Sequence, residues 1–164
     1  MRPLLAALIL AGLHAAPVPA REIGTLPLSG QMAFEWIASE PEADGMVTAR
    51  YRVRGGTDGE GGSESLLGGF DLQCSGTMRF GAGAILADRA ACKLTDRFGS
   101  QMWMDLQAQP GRWDWHGLTA TLGDGTGPYA RLHGTARFVR IMHLPPDSMM
   151  LWAYFVGTVD WRRD

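Results

Sequence analysis

Short runs in which apolar and polar residues alternate fill most of this chain. A period of two is the pattern of a β-strand that buries one of its two sides. Glycine-rich and proline-containing turns separate the runs, and no stretch has the 3.6-residue period of an amphipathic helix. The clearest apolar sets, one for each of three runs, are Met32, Phe34 and Trp36; Val47, Ala49, Tyr51 and Val53; and Met102, Met104 and Leu106.

Eight such strands are predicted, nearly all joined by hairpin turns. They begin near Gln31, Val47, Leu66, Ala84, Gln101, Arg112, Gly134 and Met149. We therefore expect an all-β fold, a single antiparallel eight-stranded β-barrel, whose interior has room for packed side chains or for one small ligand. Because no continuous lipid-facing apolar band is present, we do not expect this barrel to insert into a membrane.

One segment, from Gly123 to Phe138, interrupts the alternation with glycines and a proline. It predicts a tight corner in which the spacing of Tyr129 and Leu132, three residues apart, suits a single helical turn packed under a sheet or across a barrel end. A phosphate-binding loop is the alternative, but the segment lacks the Lys-Ser/Thr pair of a P-loop.

The first twenty residues have the pattern of a secretory signal peptide. A basic residue, an apolar run from Leu4 to Leu13 and small residues before Arg21 predict cleavage after Ala20. The domains are thus a signal peptide over 1–20 and a β-barrel over 21–164. We expect an exported bacterial protein, periplasmic or secreted.

The two cysteines, Cys74 and Cys92, lie on the third and fourth predicted strands, where a hairpin places them face to face. An exported protein with an even number of cysteines is expected to form a disulfide. Catalytic or metal-binding thiols are the alternative, but the spacing is not that of a known thiol or zinc site.

The charge balance excludes some partner classes. Fifteen basic and 17 acidic residues give a net charge of −2, so we expect neither a nucleic-acid partner nor another polyanion. Arg50, Arg52 and Arg54 share one strand side, which we interpret as solvent-facing, with an anion site as the alternative. His133 and His143 are not clustered, so no metal site is expected.

Four residues are candidates for acid–base chemistry. On the sixth predicted strand, Asp114 is placed to orient His116 and raise its pKa. Glu35 and Asp105 are candidates for a lone carboxylate inside the barrel with a raised pKa. For all four, an ordinary polar outer surface is the alternative.

Six tryptophans exceed what a core of this size needs, and tryptophan and methionine suit the lining of an apolar binding site. The predicted ligand-binding residues are Trp36, Met102, Trp103, Met104, Trp113, Trp115, Trp152 and Tyr154.

Glycine and cysteine motifs over roughly residues 72–138 resemble those of a group of small secreted bacterial proteins of unknown function. The motifs are Cys74-x-Gly76, Cys92-x-x-Thr95-Asp96-x-x-Gly99 and Gly125-Thr126-Gly127-x-Tyr129-x-x-x-x-Gly134. The last is similar to the corner of allene oxide cyclase and dirigent-type barrels. The chain departs from the bacterial pattern at Ser100, Asp124 and Arg131. The resemblance implies an eight-stranded barrel with an apolar cavity that works by shape, without a metal or redox cofactor.

Three functions follow as hypotheses. The first is binding of a small apolar molecule inside the barrel. The second is a cofactor-free isomerase or cyclase on the same scaffold, with a buried ionisable group facing the cavity. The third is a structural or partner-binding protein of the cell envelope, which predicts a filled barrel and an exposed apolar patch. Whether the protein is an enzyme, which ligand it takes and how it oligomerises are not encoded in these patterns.

Overall fold

The computed structural model describes residues 22–58, 66–143 and 150–164. Within these ranges the chain forms nine β-strands and one short 3₁₀ helix over Gly127–Tyr129. The strands are β1 (Glu22–Pro41), β2 (Val47–Thr57), β3 (Asp71–Gly81), β4 (Ala84–Thr95), β5 (Gln101–Ala108), β6 (Gly111–Arg112), β7 (Trp115–Gly123), β8 (Leu132–His143) and β9 (Leu151–Arg163).

Eight of these strands close into an antiparallel barrel. Their order around the barrel is β3, β2, β1, β9, β8, β7, β5 and β4, and the pairing of β3 with β4 closes the ring. The two-residue strand β6 lies outside this ring and pairs only with the start of β4. The predicted fold class is confirmed, with one extra short strand.

Strand β1 begins nine residues earlier than predicted, at Glu22. Its first half pairs with β9, from Glu22 opposite Arg163 to Phe34 opposite Leu151. Gly24, Pro27 and Gly30 break the apolar alternation in this half, so the sequence pattern did not indicate a strand. The backbone pairing with β9 supplies the order that the side-chain pattern lacks.

As one continuous strand, the sixth predicted strand would place Asp114 and His116 on one side and Trp115 on the other, and this prediction was wrong. The chain bends at Trp113 and Asp114, which separates β6 from β7. After this bend Trp115 points outward and is 55% exposed, whereas His116 points inward with Leu118. The bend thus reverses the sides that a continuous strand would have given to Trp115 and His116.

The inward side chains of the eight strands fill the barrel. Two inward glycines are needed for this packing, because a Cβ at Gly76 would lie 2.7 Å from the Tyr51 ring and one at Gly30 2.4 Å from the Phe155 ring. Each glycine therefore leaves the space that a large aromatic ring on a neighbouring strand occupies.

Cys74 and Cys92 form a disulfide, as predicted. They are direct partners across β3 and β4, and both are buried in the barrel interior. The disulfide therefore lies between the two strands whose pairing closes the ring.

The corner between β7 and β8 contains a single helical turn, as predicted, but Leu132 lies outside this turn as the first residue of β8. The 3₁₀ helix carries Tyr129, which is buried together with Leu132. The Tyr129 hydroxyl donates a hydrogen bond of 3.2 Å to Asp96 in the turn between β4 and β5. This bond ties the corner to the neighbouring turn at the same end of the barrel.

Several predictions lie outside the described residues. These are the signal peptide over 1–20, most of the loop over 55–65, the turn over 144–147 and the start of the last strand at Met149.

Candidate functional site

Four polar side chains lie inside one end of the barrel. We call Tyr51, Asp88, His116 and Arg140 the polar cluster; each is at most 1% exposed. They come from four different strands, β2, β4, β7 and β8. Buried charged residues are rare in proteins unless they are paired, so the cluster is the first place to look for chemistry.

The strand period explains why these residues point inward. Asp88 lies four residues before Cys92 on β4, and Arg140 lies between Phe138 and Met142 on β8. Since every second side chain of a strand faces the same side, Asp88 and Arg140 must face the core with these apolar neighbours.

Asp88 holds the cluster together. Its Oδ1 accepts a hydrogen bond of 2.5 Å from the Tyr51 hydroxyl, and its Oδ2 accepts one of 2.5 Å from Arg140 Nη2. Arg140 Nε in turn donates to His116 Nε2 over 3.0 Å. Because Nε2 accepts this bond, the neutral imidazole carries its hydrogen on Nδ1.

The pKa values in the cluster follow from burial and charge. Burial, and then the positive charge of Arg140, lower the pKa of His116 to about 4. Backbone groups of Arg112 and Trp113 oppose this shift, although Nδ1 has no well-aligned hydrogen-bond partner among the described residues. Burial, and then the charge of Asp88, raise the pKa of Tyr51. His116 is thus neutral and Tyr51 protonated at neutral pH.

An aromatic layer covers the cluster at the barrel end. Its rings belong to Phe34, Trp36, Phe80 and Trp113, with centroids 4.8 Å apart for Phe80 and Trp113 and 6.4 Å apart for the stacked Trp36 and Trp113. The Arg140 guanidinium lies 5.2 Å from the centre of the Phe34 ring, a cation–π contact. The layer separates the polar cluster from solvent.

The barrel interior beyond the cluster is mainly apolar and filled. Leucine, methionine and phenylalanine side chains, together with Thr57, surround a cavity of about 20 Å³ beside the disulfide. That volume holds about one water molecule, whereas pockets for small ligands measure about 300–1,000 Å³. Larger depressions, of about 440 to 820 Å³, lie on the outer surface.

The structure separates the predicted catalytic residues. Glu35, Asp105 and Asp114 are exposed on the outer surface, and His116 alone is inside. Asp114 pairs with Arg112 over 2.7 Å, and this hydrogen bond lowers the pKa of Asp114. The prediction that Asp114 orients His116 and raises its pKa was therefore wrong, because the bend between β6 and β7 sends the two side chains to opposite sides.

The predicted ligand-binding residues lie in three separate places. Met102 and Met104 are in the core, and Trp36 and Trp113 belong to the aromatic layer. The other four point outward and are 40–55% exposed: Trp103, Trp115, Trp152 and Tyr154. They do not line a common cavity.

Three of the outward aromatic residues belong to a contiguous patch on adjacent strands. We call Trp115, Ile141, Trp152, Tyr154 and Val156 the outer apolar face. Ile141 is the direct strand partner of both Trp115 and Tyr154, while Trp152 and Val156 flank Tyr154 on β9. Each of the five is between 40% and 56% exposed.

Sequence reasoning missed Asp88 and Arg140, although a signal for both was present. Once Cys92 is placed inward, the period of two places Asp88 inward as well. The apolar residues on either side of Arg140 carry the same information for β8. The bend that turns His116 inward has no comparable signal.

The described residues contain no group of three or more histidine, cysteine or carboxylate side chains placed to hold a metal ion. Over the same ranges no helix is long and apolar enough to cross a membrane.

No protein-family model and no curated protein matches this chain.

Proposed function

We propose that this protein is an exported partner-binding module, in which the filled barrel is a rigid scaffold and the outer apolar face docks onto another protein. The observation that carries this proposal is the continuity of five exposed apolar side chains over β7, β8 and β9. Contiguous apolar surface of this kind on a soluble domain is characteristic of interaction sites.

The composition of the face favours a protein as the partner. Two tryptophans, a tyrosine and two aliphatic residues form it, and no Lys, Asp or Glu lies within it. Cores of protein–protein interfaces are enriched in aromatic residues and depleted of these three charged types. Tyr154, central in the face, has the character of an interface anchor.

The two other hypotheses have less support. Binding of an apolar molecule inside the barrel needs far more space than the cavity of about 20 Å³ beside the disulfide. A cofactor-free isomerase needs substrate to reach an ionisable group, and the aromatic layer covers the polar cluster. Saturable quenching of tryptophan fluorescence by apolar probes would revive both hypotheses.

Photocrosslinking in the source cells tests the proposal. A photoreactive phenylalanine derivative replaces Tyr154 in one variant and Thr158 in a control, since both residues point outward from β9. We expect a discrete adduct with one protein at position 154 and none at position 158. That protein, once purified, should bind the wild-type module at least tenfold more tightly than a Trp115→Ser/Tyr154→Ser variant.

Equal adduct formation at both positions, or equal affinity of the wild type and the double variant, would contradict the proposal. Both substituted side chains are half-exposed, so the double variant should unfold at nearly the wild-type temperature. The unfolding measurement therefore separates loss of binding from loss of folding.

A further inference from the structure

The outer side of β2, β3 and β4 forms a shallow basic trough. Its floor is the short polar column of Gln73, Ser75 and Thr77 on β3. One wall consists of Arg50, Arg52 and Arg54 on β2, and the other of Arg89 and Lys93 on β4. All five cationic residues are outward-facing positions of their strands.

The strand register fixes the shape of this trough. Arg54, Gln73 and Lys93 are consecutive partners across the three strands. Arg50, Thr77 and Arg89 form a second such row four residues away. The two walls lie on strands separated by β3, so two inter-strand distances place them roughly 10 Å apart. The two rows are four residues apart along the strands, so the trough is roughly 14 Å long.

The trough carries a net positive charge. Among the described residues, none of its five cationic side chains forms an ion pair, whereas Arg79, Arg112, Arg137 and Arg163 do so elsewhere on the surface. The acidic side chains at its margins are Glu35, Asp71 and Asp105; Glu35 is the strand partner of Arg52, and Asp71 accepts a hydrogen bond from Gln73. The expectation that no polyanion binds came from the net charge of −2, which does not reveal this local concentration of positive charge.

The surface around the trough has two shallow depressions and is rich in hydroxyl groups. A depression of about 440 Å³ extends from Arg52 and Arg54 to Lys93 and Trp103. It shares Ser75 and Ala91 with a second depression of about 820 Å³. Hydroxyl and amide side chains that line the second one are Thr77, Gln107, Thr119, Thr121 and Thr135.

We propose that the basic trough binds an acidic polysaccharide, a chain of sugar units that carry carboxylate, sulfate or phosphate groups. The guanidinium and ammonium groups of the walls pair with the anionic groups. The hydroxyl and amide groups of the floor exchange hydrogen bonds with the sugar hydroxyls. Trp103, 40% exposed at the edge, offers a flat surface for a sugar ring.

The observations favour a polysaccharide over two other anionic partners. A single-stranded nucleic acid is bound by a series of aromatic side chains on which successive bases stack, whereas the depression beside the trough is lined by one aromatic residue, Trp103. A lipid surface needs apolar side chains beside the cations, whereas the trough floor is polar. The outer apolar face lies on the opposite side of the barrel, since β3 and β8 are four strands apart in the ring of eight.

This inference does not depend on the proposed protein partner. The trough and the outer apolar face share no residue and no strand, so either site could be occupied without the other. Binding of a polysaccharide and binding of a protein are separate measurements, and failure of one leaves the other standing.

Titration calorimetry of the purified protein tests the trough. The probes are an oligogalacturonate, a heparin octasaccharide and neutral dextran, with single-stranded DNA and phosphatidylglycerol vesicles as the competing anion classes. The trough variant is Arg52→Ser/Arg54→Ser/Lys93→Ser. Its control is Arg97→Ser/Arg131→Ser/Arg162→Ser, which removes the same charge from exposed positions outside the trough.

We expect at least one acidic oligosaccharide to bind the wild-type protein. Relative to the wild type, the trough variant should bind it at least tenfold more weakly, and the control variant less than threefold more weakly. Neutral dextran should not bind, and Trp103→Ala should weaken binding severalfold. Equal losses in the two triple variants would show non-specific attraction and overturn the proposal. So would the absence of acidic-oligosaccharide binding, or tighter binding of DNA or vesicles.

Discussion

The two ends of the barrel interior are stabilised in different ways. Around the disulfide the inward residues are apolar except Thr57, and burial of apolar surface stabilises them without charged partners. At the other end Arg140 and Asp88 are buried with full charges, which is tolerated only because each is paired and hydrogen-bonded. The comparison teaches that the apolar end depends on contact area, whereas the polar end depends on every member of the cluster being present.

The two ends therefore differ in how they fail. Loss of one apolar contact costs free energy in proportion to the surface and volume removed. Loss of one cluster member leaves a charge or donor buried without its partner, which costs more than the lost bond itself. Protonation affects only the polar end, because the residues around the disulfide do not titrate.

The largest effect is expected for Asp88→Ala. This variant leaves the Arg140 charge and the Tyr51 hydroxyl buried without an acceptor, and we expect the free energy of unfolding to fall by about 3–5 kcal/mol. Denaturant titration at pH 7 measures it. Asp105→Ala, which removes an exposed carboxylate, should leave the stability nearly unchanged. Equal losses in the two variants would show that the cluster contributes no more than a surface charge.

Acid should weaken the polar end through His116. Its pKa is about 4 in the folded protein and near 6.5 when unfolded, so the unfolded chain binds the proton more readily. The stabilisation is complete above pH 6.5 and is lost as the pH falls towards 4, by about 3 kcal/mol. Denaturant titrations at pH 7, 5.5 and 4.5 measure this slope.

The control for this pH dependence is a pair of histidine substitutions. His116→Gln keeps an acceptor for Arg140 but cannot titrate, so its stability should depend less on pH than that of the wild type. His143→Gln, at an exposed position, should keep the wild-type slope. A wild-type slope in His116→Gln would refute the assignment.

The disulfide tests the apolar end. Cys74 and Cys92 are 18 residues apart, and removal of a cross-link of this length costs about 3 kcal/mol in the chain-entropy model. We expect a Cys74→Ala/Cys92→Ala variant to lose this amount at pH 7 and at pH 4.5 alike. A loss that changes with pH would mean that the two ends are coupled.

The smallest effect is expected for Tyr51→Phe. This variant removes the hydrogen bond to Asp88 but keeps the ring, and bonds to charged acceptors contribute about 1.5–3 kcal/mol. The loss should approach 2 kcal/mol in denaturant titration, because Asp88 remains paired with Arg140. Tyr154→Phe, on the outer surface, is the matched control and should change nothing.

The fold was predictable because alternation is a local signal. Apolar residues at every second position indicated strands in the regions of β1, β2 and β5, and the structure confirms these strands. Which side of each strand faces inward was left open by the sequence; the structure places Met32, Tyr51 and Met104 inside. The first half of β1 was not predictable, since its order comes from pairing with β9 more than a hundred residues away.

The candidate site was harder to predict than the fold. A polar residue in a strand is ordinarily taken to face solvent. Asp88 and Arg140 were therefore not predicted as buried, although they alternate in step with the inward residues of their strands. The inward position of His116 depends on a single bend at Trp113 and Asp114. A shift of one residue in the alternation moves every later side chain of the strand to the opposite side of the sheet. The resemblance to allene oxide cyclase and dirigent-type barrels stays a prediction.

The position of β9 between β1 and β8 sets a condition on how the chain folds. Within the described ranges, residues 22–28 have strand partners only in residues 157–163, so the ring cannot close until nearly all of these strands have been synthesised. Pairing over such a separation is slow. Until then β1 and β8 each expose an unpaired edge, which other chains could add to. Addition of the final strand, β9, is therefore the step that covers both edges and lowers the risk of aggregation.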